Sequence, residues 1–231
     1  MKWISDLIDI IFPRSCAVCG KSLAAGEKDI CVNCLLDLPR MEEYTPGNDV
    51  EKLFYGTLKI ERAAAYTLHT KGSPYNNLIY NIKYNDRPEV AVRMAAAAAK
   101  ELMERGFFDS IDIIVPVPLS RKKRRKRGYN QCDYIARGLS EATGISIDTT
   151  TLVRHIANET QTHKQREARW KNVENVFSVT SPEAFKGKHI LLVDDVVTTG
   201  ATLSSCGKSI LAASPDTRLS IFALACAKKG V

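Results

Sequence analysis

The 231 residues, 45% hydrophobic and 26% charged, mark an ordinary soluble globular protein of one full domain plus a smaller module. No apolar stretch is long enough to span a bilayer. The formal charge is +7, and much of the excess sits in one run, "RKKRRKR" at 121–127.

The first stretch, "MKWISDLIDIIFP", places Trp3, Ile4, Leu7, Ile8 and Ile11 at helical spacing. It predicts a short amphipathic helix packed on the body and ended by Pro13. Asp6 and Asp9 within it, and the lack of a small-residue cleavage site, exclude a secretory signal. Its acidic polar face argues against a membrane-surface helix.

Residues 16–34, "CAVCGKSLAAGEKDICVNC", hold two Cys-x2-Cys pairs separated by eleven residues. Each pair can wrap one knuckle, and Gly20 gives the turn after the first pair its freedom in φ. Four soft thiolates, from Cys16, Cys19, Cys31 and Cys34, suit tetrahedral zinc, and a closed site of this kind is structural. The spacing is unlike that of ferredoxin iron–sulfur clusters. So short a region has almost no core, and the metal would supply its folding free energy. With four cysteines committed to metal, three scattered and no export signal, a reducing cytoplasm is the expected compartment. Cys132, Cys206 and Cys226 read as small packing residues.

In the body, 60–68 reads as a strand. A helix follows with Ser73 as N-cap and Pro74 at its first position, then a second from Pro88 through the alanine run 95–99 to near Gly106. "IDIIVPVPL" (111–119) reads as a buried strand. The basic run then reads as a loop and leads into a helix from about Asn130 to Thr143. A charge run between a strand and a helix suits a solvated loop, a phosphate ligand at its end, or nucleic-acid backbone, and these readings stay open together. Further strands are expected within 145–154, at "VFSV" (176–179), at "HILLV" (189–193) and at "LSIFALACA" (219–227), with a helix from about Thr202 to Ala213. Strands alternating with helices predict a parallel α/β sheet, with ligands at the carboxyl ends of its strands. The expected division is residues 1–45 for the helix and zinc module, then 46–231, of which 46–106 is a candidate hood with helices and 107–231 the core.

The sharpest stretch is "HILLVDDVVTTGATL" (189–203). Asp194 and Asp195 stand at the carboxyl end of a central strand, where adjacent carboxylates can accept from two vicinal hydroxyls or help hold a hydrated divalent cation. Val197, Thr198, Thr199, Gly200, Ala201 and Thr202 form a loop opening a helix, whose hydroxyls, exposed N–H groups and dipole favour a phosphate. One loop can thus grip a ribose 5-phosphate at both ends. Neither a Walker A motif nor a dinucleotide fingerprint is present.

This segment resembles the phosphoribosyl pyrophosphate (PRPP) signature of type I phosphoribosyltransferases. Together with the four-cysteine front, "IKY", "PVPL" before "RGYNQ", and "RWKNVENVF", the whole chain resembles the ComF family of competence-associated phosphoribosyltransferase-like proteins. The resemblance implies a type I phosphoribosyltransferase-like sheet flanked by helices. It implies that Asp194 and Asp195 meet the ribose hydroxyls with Mg²⁺ nearby, and that Thr198 to Thr202 bind the 5-phosphate. Arg127 and Gly128 would end a pyrophosphate loop. Residues 160–172 would be a flexible catalytic loop in which Lys164, Arg166 and Arg169 clamp pyrophosphate. His163 and Trp170 there read more simply as an exposed histidine and a packing residue, and Tyr129 as a helix-packing residue. Three functions remain open: transfer from PRPP to an unknown acceptor, a PRPP-sensing regulator without turnover, or a module that keeps the PRPP or nucleotide pocket but works in DNA uptake. In the last, 121–127 meets single-stranded DNA and the zinc module docks a partner such as a helicase.

Overall fold

The computed structural model describes residues 14–41, 44–155 and 176–227. The amphipathic stretch 1–13 lies outside them. The elements in chain order are helices α1 (Val32–Leu36) and α2 (Asp49–Lys52), strand β1 (Arg62–His69), helices α3 (Asn76–Tyr84) and α4 (Pro88–Met103), strand β2 (Ile113–Pro116), helices α5 (Arg121–Arg127) and α6 (Gln131–Thr143), strands β3 (Ser146–Ile147), β4 (Leu152–Arg154), β5 (Phe177–Val179) and β6 (His189–Val197), helix α7 (Ala201–Ala213) and strand β7 (Arg218–Ala227).

The expected parallel α/β sheet is present, with five strands in the order β1-β7-β6-β2-β3 and every pairing parallel. A separate antiparallel ribbon joins β4 to β5. Successive strand residues face opposite sides of the sheet. Leu191, Val193, Ile114 and Phe222 join a core with α4 and α6. Ile190, Leu192, Val115 and Ile221 join a second core with Leu203, Cys206 and Ile210 of α7 and with Phe54. The chain leaves β2 toward β3 and leaves β6 toward β7, in opposite directions, so the switch in strand order falls between β2 and β6. Ligand crevices form at such a switch because the two crossover connections part there.

Three expectations change. The basic run 121–127 is a helix and not a loop. Ser120 caps it, accepting from Lys123 N, and Gly128 closes it in the left-handed region at φ 85°. Arginine and lysine are good helix formers, and cations late in a helix suit its dipole. Strand β6 does not stop at Val193 but runs through both aspartates to Val197, because β7 continues to pair with it as far as Cys226. Helix α3 begins at Asn76 rather than Pro74. Residues 73–75 form a tight turn in which Asn76 N donates to Ser73 O at 3.1 Å.

The amino ends of the strands hold no candidate chemistry. His189 is fully buried, with Nδ1 3.1 Å from Ser110 Oγ and Nε2 2.8 Å from Ser220 Oγ. Its backbone N–H donates to Asp112 Oδ2 at 2.7 Å, so this histidine is a structural residue.

Candidate ligand pocket

The carboxyl ends of β2 and β6 open on a cavity of about 640 Å³. Its walls include Lys83 and Tyr84 of α3, Val117 to Leu119 after β2, Lys123, Lys126 and Arg127 of α5, Gln131 and Cys132 of α6, and Arg154, Asp194, Asp195 and Thr202. A smaller cavity of about 50 Å³ lies beside it in the Thr-Gly turn, lined by Asp194 and residues 196–203.

The turn is built as its sequence requires. Gly200 sits at φ 74°, which calls for glycine, and a Cβ there would also crowd Phe54 Cε1 at 3.0 Å. Thr199 Oγ1 accepts from Ala201 N at 3.4 Å. Thr198, Thr199, Ala201 and Thr202 are exposed at the start of α7, where the free N–H groups of a helix point outward.

The acid pair is held by three neighbours. Asp195 is buried and accepts from Lys83 Nζ at 2.8 Å and from Gln131 Nε2 at 2.5 Å. Asp194 Oδ1 accepts from Asp195 N at 2.8 Å and from Cys132 Sγ at 3.4 Å. Burial, and then the charge of Asp195, raises the Asp194 carboxyl to about 6, although the hydrogen bonds from Asp195 N and Cys132 and the Lys83 charge pull it down. Burial, with the two carboxylates behind it, pushes the Cys132 thiol well up, so it stays a neutral donor.

Of the residues named from sequence, the fold brings Asp194, Asp195, Thr202 and Arg127 to the larger cavity, and Val197 to Thr202 to the smaller. Arg127 donates to Gln131 Oε1 and stacks over the Tyr84 ring at 5.4 Å. Gly128 acts as the helix cap. Lys164, Arg166 and Arg169, with His163 and Trp170, lie outside the described residues. Tyr129 donates its hydroxyl to Ile82 O and meets Tyr134 edge-on, as a packing residue would, and it also lines the cavity.

Three residues at the acid pair escaped the sequence reading. Cys132 passed as core filler, and Gln131 stood in the "RGYNQ" segment with no role assigned to it. Lys83 stood in the "IKY" segment that carries part of the family resemblance, but no role was assigned to it there. Their convergence on Asp194 and Asp195 comes from long-range packing.

The four front cysteines also converge. Their ligand atoms lie within 4.8 Å of one another, and Cys19 Sγ is 3.9 Å from Cys31 Sγ. Zinc–sulfur bonds of about 2.3 Å set a tetrahedral edge of about 3.8 Å, so the donor set fits zinc. Burial alone would raise the Cys16 thiol, but N–H groups of Cys19, Cys31 and Val18 overcome it and lower the group to about 7, while burial and the neighbouring thiols push Cys34 well up, so without a metal the negative charge gathers on Cys16. Val18 N and Cys31 N each donate to Cys16 Sγ at 3.4 Å.

A phosphoribosyl transferase domain model matches residues 83–229. The chain belongs to that family. A double zinc ribbon domain model matches residues 7–45, and the pairing of the two places the chain in the ComF/YhgH family. The DNA utilization protein YhgH of Salmonella typhi is 32% identical over 141 residues, 60% of this chain and 61% of that protein, so the match spans less than two thirds of that relative. The YhgH protein of Escherichia coli strain K12 is 27% identical over 199 residues, 85% of this chain and 83% of its own. The competence protein ComFC of Bacillus subtilis is 32% identical over 118 residues, 51% of this chain and 46% of that one. Among solved structures, the glutamine PRPP amidotransferase of Bacillus subtilis, complexed with ADP and GMP, is similar with a TM-score of 0.44 at 19% identity, over 62% of this chain and 30% of that chain. Within the described residues, no helix of this family member is long and apolar enough to cross a membrane.

Proposed function

We propose that the chain binds PRPP with Mg²⁺ at the end of β6 and acts as a phosphoribosyltransferase-type protein in DNA handling. The observation that carries this reading is the acid pair itself: two carboxylates stand between an exposed Thr-Gly helix start and a cationic wall. The turn takes the 5-phosphate, the carboxylates take the ribose hydroxyls, and Lys123, Lys126 and Arg127 face the pyrophosphate.

If transfer occurs, the bond from C1 of the ribose to pyrophosphate breaks and an acceptor nucleophile takes its place. Negative charge then builds on the leaving oxygen, where the cations of α5 stabilise it. Three of the four carboxylate oxygens are engaged by the chain's own groups, which favours a cation held through water and ligand oxygens over direct ligation. When bound, Mg²⁺ supplies charge neutralisation at the pyrophosphate.

Calorimetric titration of PRPP into the protein with Mg²⁺ tests the reading. One site per chain with a dissociation constant in about the micromolar to millimolar range is expected, as for a metabolite site. No heat at millimolar PRPP would remove both the transfer and the sensor readings.

A second reading rests on α5. Six of its seven cationic residues are exposed, and exposed Tyr80 and Tyr84 stand in tilted contact on neighbouring α3 with ring centroids 5.1 Å apart. Phosphate-tracking cations beside aromatic faces suit single-stranded DNA, and relatives carry the name DNA utilization protein. Exposed Val32 and Leu36 of the cysteine module give a protein partner such as a helicase an apolar face. Neutralising Lys122 to Lys126 should flatten the salt dependence of single-stranded DNA affinity by about 0.7 for each phosphate that α5 no longer neutralises. An unchanged slope would remove α5 as the DNA-binding element.

A further inference from the structure

Helix α3 touches the cysteine module with one flank and the acid pair with the other. The carboxamides of Asn77 and Asn81 donate to Val18 O and Ala17 O of the first cysteine knuckle, both at 2.8 Å. Asn85 donates to Asn81 Oδ1 at 2.9 Å, which orients that amide toward its carbonyl. Just past the helix, Arg87 donates to Ser15 O at 3.0 Å and pairs with Asp29 at 3.2 Å. Lys83, about 200° around the helix from Asn81, reaches across to Asp195 at 2.8 Å.

The two ends of this bridge depend on each other physically. Cys16, Ala17 and Val18 are buried in the same core as Leu78, Ile79 and Ile82 of α3. The module has a five-residue helix with no buried residue, so its shape depends on a metal gathering four thiolates. Helix α3 is nine residues long and has no side-chain cap at its start, too short to hold itself without such anchors.

We propose that Asn77 and Asn81 are positioning residues that make the ligand pocket depend on the metal load of the cysteine module. The knuckle carbonyls hold α3, and α3 holds Lys83 on Asp195. With the metal gone, the two amides lose fixed acceptors, Lys83 swings away from Asp195, and the acid pair loses its cation. Affinity in the pocket then falls with zinc content although no zinc ligand touches the pocket. The proposal rests on the phosphoribosyl reading only for the identity of the ligand; the linkage is a property of the chain alone.

Mass-spectrometric footprinting with an acetylating reagent tests it without any ligand. The amine of Lys83 should react roughly fivefold faster or more when zinc is chelated, its rate following the time spent away from its carboxylate, while exposed Lys208 is unchanged. The single variants Asn77→Ala and Asn81→Ala, with full zinc content and a wild-type circular dichroism spectrum, should raise the Lys83 rate in the same direction. Wild-type protection of Lys83 in both zinc-loaded variants overturns the proposal. So does an unchanged rate on chelation. If chelation melts the whole chain, so that half-buried Lys188 reacts faster too, the zinc-loaded variants decide alone. PRPP affinity measured on the same samples should fall with rising Lys83 reactivity. A protein that binds no PRPP at all would remove the phosphoribosyl reading and leave the footprint result standing.

Discussion

Gly138→Ala should destabilise the protein by about 3 kcal/mol, lowering the melting temperature by roughly 6–12 °C. Gly138 lies on α6 where it crosses α4, and a Cβ there would stand 2.1 Å from Val92 O and 2.9 Å from Ala95 Cβ. A main-chain carbonyl inside a helix cannot swing away, so the two helices must part. They part at the expense of a core that holds Val90, Ala91, Met94, Ala95, Ile135 and Leu139. The gain in helix propensity from glycine to alanine, about 1 kcal/mol, is too small to offset this. Gly207 on α7 makes the comparison. Its Cβ would stand 2.5 Å from Leu58 Cδ2, the tip of a flexible side chain, so Gly207→Ala should cost only about 1 kcal/mol. Thermal unfolding of the two variants side by side checks the order. Equal losses would mean that the α4–α6 crossing is looser than the structure has it.

If the acid pair takes the ribose hydroxyls as proposed, Asp194→Asn/Asp195→Asn should weaken PRPP binding by about 100-fold or more, since each carboxylate would give up a charge-assisted hydrogen bond worth about 1.5–3 kcal/mol. Stability should move the other way at the first position. Asp194→Asn keeps an oxygen for Asp195 N and Cys132 while removing a carboxylate that burial and Asp195 disfavour. A carboxyl at about 6 rather than 3.8 bounds the gain at about 3 kcal/mol, and partial exposure brings it to about 1–2. The sign follows from proton binding. The folded chain holds the Asp194 proton more tightly than the unfolded chain does. Ionisation therefore costs stability progressively from pH 3.8 to about 6, and the cost is constant above that. The variant's advantage should be full at pH 8 and should fade as the pH drops through 6. Denaturant melts of wild type and Asp194→Asn at pH 4.5 and pH 8 measure it. A variant less stable than wild type at pH 8 would show that the pair is not strained.

Much of the site could be read in the sequence because its parts are local. Val193 to Thr202 is one strand, one turn and one helix start, contiguous in the chain, so the pattern of acids, threonines and glycine shows within ten positions. Gly200 is legible as glycine from the turn alone, although only the fold shows Phe54 pressing on it. The four cysteines are legible for the same reason, since Cys-x2-Cys spacing makes each half-site. The basic run misled because a block of like charge reads as a solvated loop. Its Ser120 cap and its Gly128 stop were both in view, and both are ordinary helix signals. The end of β6 misled because two carboxylates look like the close of a strand, and only β7 beside them keeps the ladder going.

By itself the sequence determined the α/β class, the four thiolates and the strand-turn-helix that carries Asp194, Asp195 and the Thr-Gly turn. These follow from backbone periodicity and from donor chemistry at short spacing. Only the tertiary structure decided that Lys83 from α3 and Gln131 and Cys132 from α6 close on those acids, across 112, 64 and 62 positions of chain. Such contacts are set by how sheet and helices pack, and no local pattern records them. The same packing fastens the cysteine module to α3 through Asn77 and Asn81, so that two sites legible separately become parts of one structure.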